Sequence, residues 1–164
     1  MAFSGQAANK LVFAALYAGV VILTAWGGMR LINYALCSRF HRDFLLKWEV
    51  ALKAYRQEKG SFPDFIEGRH GEFMEDLIKR MRGRGVTPPE SNTARPYVYN
   101  LKKIGRPDEV VLVLGLPDRL VVYGLAPETY ATVDGFIDDQ SDAGAGWFTG
   151  RIQPDGTMVG VWRL

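Results

Sequence analysis

A single cysteine, Cys37, among 164 residues leaves no internal disulfide to form and excludes a disulfide scaffold and a Cys-rich zinc site alike. Acid is missing from the N-terminal part. Residues 1–42 carry Lys10, Arg30, Arg39 and Arg42 and no Asp or Glu, whereas residues 43–164 carry 16 basic and 18 acidic side chains. So small a net charge, +2, argues against a nucleic-acid binder driven by phosphate neutralisation, which gathers an uncompensated Lys/Arg face. Histidine is scarce. His41 and His70 are the only two, and neither has a Ser, Cys or carboxylate at the spacing of a known site. No GxSxG, HExxH, CxxC or GxxxxGKS/T pattern occurs, so no catalytic or cofactor-binding residue is assigned and the chain is read as non-enzymatic. The length suits one domain with an appendage rather than two catalytic domains.

What the chain does have is a long uncharged run. Leu11 to Met29 is nineteen residues without a charge, bracketed by Lys10 and Arg30, with Trp26 near one end. As a helix it reaches about 30 Å, the thickness of a hydrocarbon core. A cleaved signal peptide ending near Ala25-Trp26-Gly27, a buried core helix and a lipid attachment at Cys37 are the competing readings. An uncleaved anchor is the better one, because the residues after Met29 continue the same helix. Apolar residues fall at Phe40, Phe44, Trp48, Leu52 and Tyr55, in steps of four, four, four and three, and no Pro or Gly occurs between Arg30 and Lys59. A single rod from Lys10 to Lys59, roughly 75 Å long, is expected. Gly27-Gly28 marks a kink, Gly60 the C-cap and Pro63 the stop.

Beyond the rod, Phe73, Met74, Leu77, Ile78 and Met81 predict a short second helix stopped by Gly83 and Gly85, with His70 in a Gly-rich loop before it. Strands are predicted at Tyr97–Ile104, Glu109–Leu116, Arg119–Leu125, Tyr130–Ile137, Trp147–Ile152 and Thr157–Trp162, with tight turns at Pro117-Asp118 and Pro154-Asp155-Gly156. The expected fold is α+β: a long N-terminal helix, membrane-spanning in its first part, packed on an antiparallel sheet of four to six strands that buries Phe44, Trp48, Leu52 and Tyr55. Residues 1–9 are read as a tail, 10–29 as a transmembrane helix, 30–59 as its amphipathic continuation and 60–164 as a globular head.

Three further features are candidates for function. Cys37 reads as a packing residue on a mostly apolar helix. Lys79, Arg80, Arg82 and Arg84 read as a solvated helix end, the alternative being a contact with an acidic partner or lipid headgroups. Asp134, Asp138, Asp139, Ser141 and Asp142 crowd four carboxylates and a hydroxyl into nine residues, a candidate Ca²⁺ loop whose plain reading is a solvated turn between strands.

The pattern Ala51, Leu52, Tyr55, Gly60, Phe62 and Pro63, after an apolar helix that runs into an amphipathic one, resembles the type IV pilins and type II secretion pseudopilins. Arg95-Pro96-Tyr97-Val98-Tyr99 is similar to a strand of the major pseudopilins, and Asp138 to Gly146 to their C-terminal loop, which in several members binds calcium. The likeness covers most of the chain in layout and is specific over thirteen residues, Ala51 to Pro63. Two positions depart from the family: if the chain is cut after Gly5, Gln6 stands where the family usually carries Phe, and Lys10 where it carries an early Glu that registers subunits in a fibre. The resemblance implies a subunit of a secretion or pilus-type assembly, single-pass in the inner membrane. Its partners would be membrane lipid and other pilin-like subunits met through the N-terminal helix, with no nucleic acid. Positive charge flanking the span favours a cytoplasmic head; the family arrangement places the head outside, and that is the expectation. A single-pass anchored binding module that forms no fibre is the alternative.

Overall fold

The computed structural model describes residues 5–139 and 143–164. It is α+β, a long N-terminal helix packed on a five-stranded antiparallel sheet, consistent with a pilin-like layout. Helix α1 spans Gly5–Phe40, a π-helical turn occupies His41–Leu45, and α2 continues over Leu46–Gln57. The helical backbone runs unbroken through Gly27-Gly28, and the departure from α geometry comes at His41–Leu45. The spacing explains why. Each step of four overshoots an α-helical turn by about 40°, so a run of fours would carry the stripe away from the sheet, and one wider turn brings it back. The adjacent Phe44 and Leu45 thereby both face inward, each fully buried.

The rod ends in a Schellman motif. The Gly60 N–H donates to the Tyr55 carbonyl and the Lys59 N–H to that of Arg56, at 3.0 and 3.1 Å. The left-handed residue is Lys59, with φ 51°, and not the expected Gly60, whose backbone lies against the Tyr55 ring with no room for a Cβ. Helix α3, His70–Gly83, ends in the same motif with Gly85 in the left-handed place at φ 77°.

Strands β1 (Val98–Leu101), β2 (Glu109–Gly115), β3 (Arg119–Leu125), β4 (Phe148–Ile152) and β5 (Met158–Arg163) form one sheet in the order β1-β2-β3-β5-β4. Pro117-Asp118 and Pro154-Asp155-Gly156 close the β2–β3 and β4–β5 hairpins as expected, with Gly156 left-handed at φ 83°. Tyr130–Ile137 is not a strand. It belongs to helix α4, Pro127–Asp138, opened by Pro127 in the first turn. Aromatic and β-branched content suggested a strand, but the buried set Thr129, Tyr130, Val133 and Asp134 repeats at four residues, a helical face. Within β3 a register shift between Val122 and Leu125 is made at Gly124, φ 81°, where a Cβ would meet the Val110 carbonyl.

The core is continuous. Phe40 and Phe44 pack on Tyr99 at centroid distances of 5.1 and 4.9 Å, Tyr130 of α4 stacks on Phe148 of β4 at 4.9 Å, and Tyr34 of α1 meets Phe136 of α4 edge-on at 5.3 Å. Phe44, Trp48, Leu52 and Tyr55 are all buried, as the stripe implied. Both sheet edges are occupied by the chain itself. The Asn92 side chain pairs with the Asn100 backbone at 2.6 and 2.8 Å on β1, and the Gly150 N–H of β4 donates to the Ala143 carbonyl at 2.8 Å.

Candidate functional site

The first half of the rod is bare. Phe13 and Leu23 are 72% and 67% exposed, while Phe44 and Trp48, further along the same rod, are at 0%. The rod is long and apolar enough to cross a membrane, and none of its most apolar stretch is covered by the head. Apolar surface on this scale in water is penalised at about 25 cal/mol per Å². Ala14, Ala15, Ala18 and Gly19 fall on one side of it, the small-residue surface that lets helices approach closely in lipid.

Where the apolar run ends, the head grips the rod. The Asn33 side chain donates to the Ile104 carbonyl at 3.1 Å and accepts the Ile104 N–H at 2.8 Å, and Gly105 passes over the Met29 sulfur. Arg30 lies over the Trp26 ring at 4.0 Å. One turn beyond Asn33, the buried Cys37 adjoins a closed polar cluster. Lys103 pairs with Glu109 at 2.6 Å, with side chains only 5% and 8% exposed. The Thr129 hydroxyl accepts from Lys103 at 2.6 Å and donates to Glu109 at 2.8 Å, while the Ala126 N–H donates to the other Glu109 oxygen at 2.9 Å. With its partners supplied from inside, this pair ties the β1–β2 loop and the start of β2 to α4, beside the rod at Cys37. Burial raises the Cys37 thiol above its usual pKa, with Lys103 opposing. A protonated, enclosed thiol is a packing group and not a nucleophile.

The other sequence candidates scatter. His41 lies in the π-helical turn between Phe136 and Trp162, ring centroids 5.5 and 5.9 Å away, and burial lowers its pKa, with Glu49 opposing. His70 is the first residue of α3 and not part of a loop, its ring against Phe65 and Tyr123. Arg80 and Arg84 are more than a solvated helix end: Arg80 pairs with Asp76 at 2.9 Å and donates to the Ser61 carbonyl at 3.3 Å, and Arg84 donates to the Glu58 carbonyl at 3.3 Å. They hold the end of the rod.

The acidic segment joins a helix to a strand, not two strands. Asp134 is fully buried in α4, and Asp139 stands exposed in the left-handed conformation at its C-cap. Asp138 accepts the Trp147 and Phe148 N–H groups at 2.9 and 2.8 Å, so its carboxylate fixes the start of β4. Ser141 and Asp142 lie outside the described residues, among which no three His, Cys, Asp or Glu side chains are grouped to hold a metal ion.

No family model, curated protein or solved structure matches the chain. Function is therefore read from the geometry. The residues that sequence reasoning passed over are Asn33, Lys103, Glu109 and Thr129. Glu109 alone carried a signal: it occupies the inward-facing register of a Val/Leu strand, in line with Val111 and Val113.

Proposed function

We propose that the chain is a non-enzymatic, pilin-like, single-pass subunit of a secretion or pilus-type assembly. Its rod anchors it in the inner membrane and packs against equivalent rods, and its head faces outward. One observation carries this reading: a single helical rod whose second half is the core of the head and whose most apolar stretch, in the first half, is left uncovered by the described residues. A helix built that way needs lipid and neighbouring helices around it. The small-residue side at Ala14, Ala15, Ala18 and Gly19 is the surface proposed for contact with neighbouring rods.

The test is topology. The chain is expressed in a bacterial host and spheroplasts are treated with an impermeant protease; digestion of the head supports the reading, and a head cut only after lysis overturns it. The anchored module without a fibre is favoured by Lys10, where a carboxylate is expected. Cysteine pairs introduced at Ala15 and Gly19 separate the two: crosslinked ladders support a fibre, and a chain that stays monomeric in the membrane supports the module.

A further inference from the structure

At the level where the head grips the rod, a cavity of about 620 Å³ opens between α1 and the head, lined by Arg30, Asn33, Tyr34, Lys103, Arg106 and Glu128 among others. We propose that this cavity binds the phosphate headgroup of an anionic phospholipid, a site that rests on the membrane reading above.

Position is the first argument. Arg30 directly follows the uncharged run, and from Arg30 to Cys37 the cavity extends along about 10 Å of helix. The headgroup layer on each side of a bilayer is of similar depth, roughly 5–8 Å beyond the hydrocarbon. The Asn33–Ile104 bonds hold the head at this height, so the cavity opens where lipid phosphates lie.

Charge is the second. Three cations face the cavity and two are neutralised: Lys103 by Glu109 at 2.6 Å and Arg106 by Glu128 at 2.9 Å. Arg30 is exposed and has no carboxylate partner among the described residues; its guanidinium rests on the Trp26 ring, which leaves its donors free at the rim. The cavity thus carries one uncompensated positive charge, complementary to one phosphodiester. A zwitterionic lipid would bring an ammonium group to the same cation. Acyl chains then run down the bare face of α1 beside Leu23 and Trp26, both exposed.

The experiment uses the full chain in detergent micelles containing equal amounts of phosphatidylglycerol and phosphatidylcholine, with retained lipid counted by native mass spectrometry. The native chain is expected to keep phosphatidylglycerol at least fivefold over phosphatidylcholine, the effect of about one cation near a lipid surface. Arg30→Gln abolishes the preference, and Glu128→Gln, which frees Arg106, raises it. Equal retention of the two lipids, or a preference untouched by both substitutions, overturns the site. Displacement of the lipid by millimolar inorganic phosphate shows a free-anion site and overturns the lipid assignment. Alkaline extraction keeps the two readings apart: a chain released from membranes defeats the anchor itself, whereas an integrated chain without lipid preference defeats only the headgroup site.

Discussion

Phe13 and Phe44 lie on one rod, the first 72% exposed and the second fully buried. The two halves differ greatly in the arrangement of their apolar groups. The first half is apolar on every side, so no single face of a small head can satisfy it. The second half confines its apolar groups to one stripe, which a sheet can cover, and leaves Arg42, Lys47, Lys53 and Arg56 to water and to surface pairs such as Lys53–Glu49 at 2.6 Å. A head can cover a stripe, and a helix that is apolar all round offers it no single face to cover.

The largest effect expected tests this directly. Trp48→Ala should destabilise the head by about 3–5 kcal/mol, and Leu16→Ala should leave it unchanged, both read by urea unfolding of the full chain in detergent. Equal losses would mean that the halves are not partitioned in this way. Next comes the buried ion pair of the head beside the rod. Glu109→Gln leaves the buried Lys103 without its counter-charge and should cost about 3 kcal/mol, with faster amide exchange in the Lys102–Asp108 loop that grips α1. An unchanged stability would show that the pair contributes nothing to holding the β1–β2 loop against α4.

A smaller effect concerns the turn where bare helix has given way to core. The folded state binds a proton at His41 less readily than the unfolded chain does, because burial between Phe136 and Trp162 disfavours the imidazolium more than Glu49 favours it. The contribution of His41 is therefore fully present above the ordinary pKa of 6.5 and is lost as pH falls from there toward the lower folded value. His41→Phe should flatten that part of the stability profile; a slope that survives assigns it to other groups. The smallest effect is a gain. Lys59 holds a left-handed conformation that Gly85 supplies without strain in α3, so Lys59→Gly should raise stability by about 0.5–1 kcal/mol, measured as a higher urea midpoint.

Much of the fold was legible because its signals are short-ranged. The rod, its stop before Pro63, the helix through Phe73 and Met81 and the two hairpin turns all rest on spacings of two to four residues or on turn chemistry. Helix α4 was misread because Tyr130, Thr132, Val133, Phe136 and Ile137 are strand-favouring residues placed at helical intervals, and composition outweighed period. The π-helical turn left its trace in three successive steps of four, visible only once the sheet that demands a straight stripe is known.

The site was far less legible. Arg30 stood out as the residue bracketing the span, but Asn33 meets Ile104 across 71 residues of sequence and Lys103 meets Thr129 across 26. Alone, the sequence determined that one helix carries a bare apolar half and a striped half, since the periodicity of side chains around a helix is set by backbone geometry. Only the tertiary structure decided which charges neutralise one another and which cation is left over at the rim. Ion pairing depends on separations of a few ångströms between segments distant in the chain, and no local pattern encodes those.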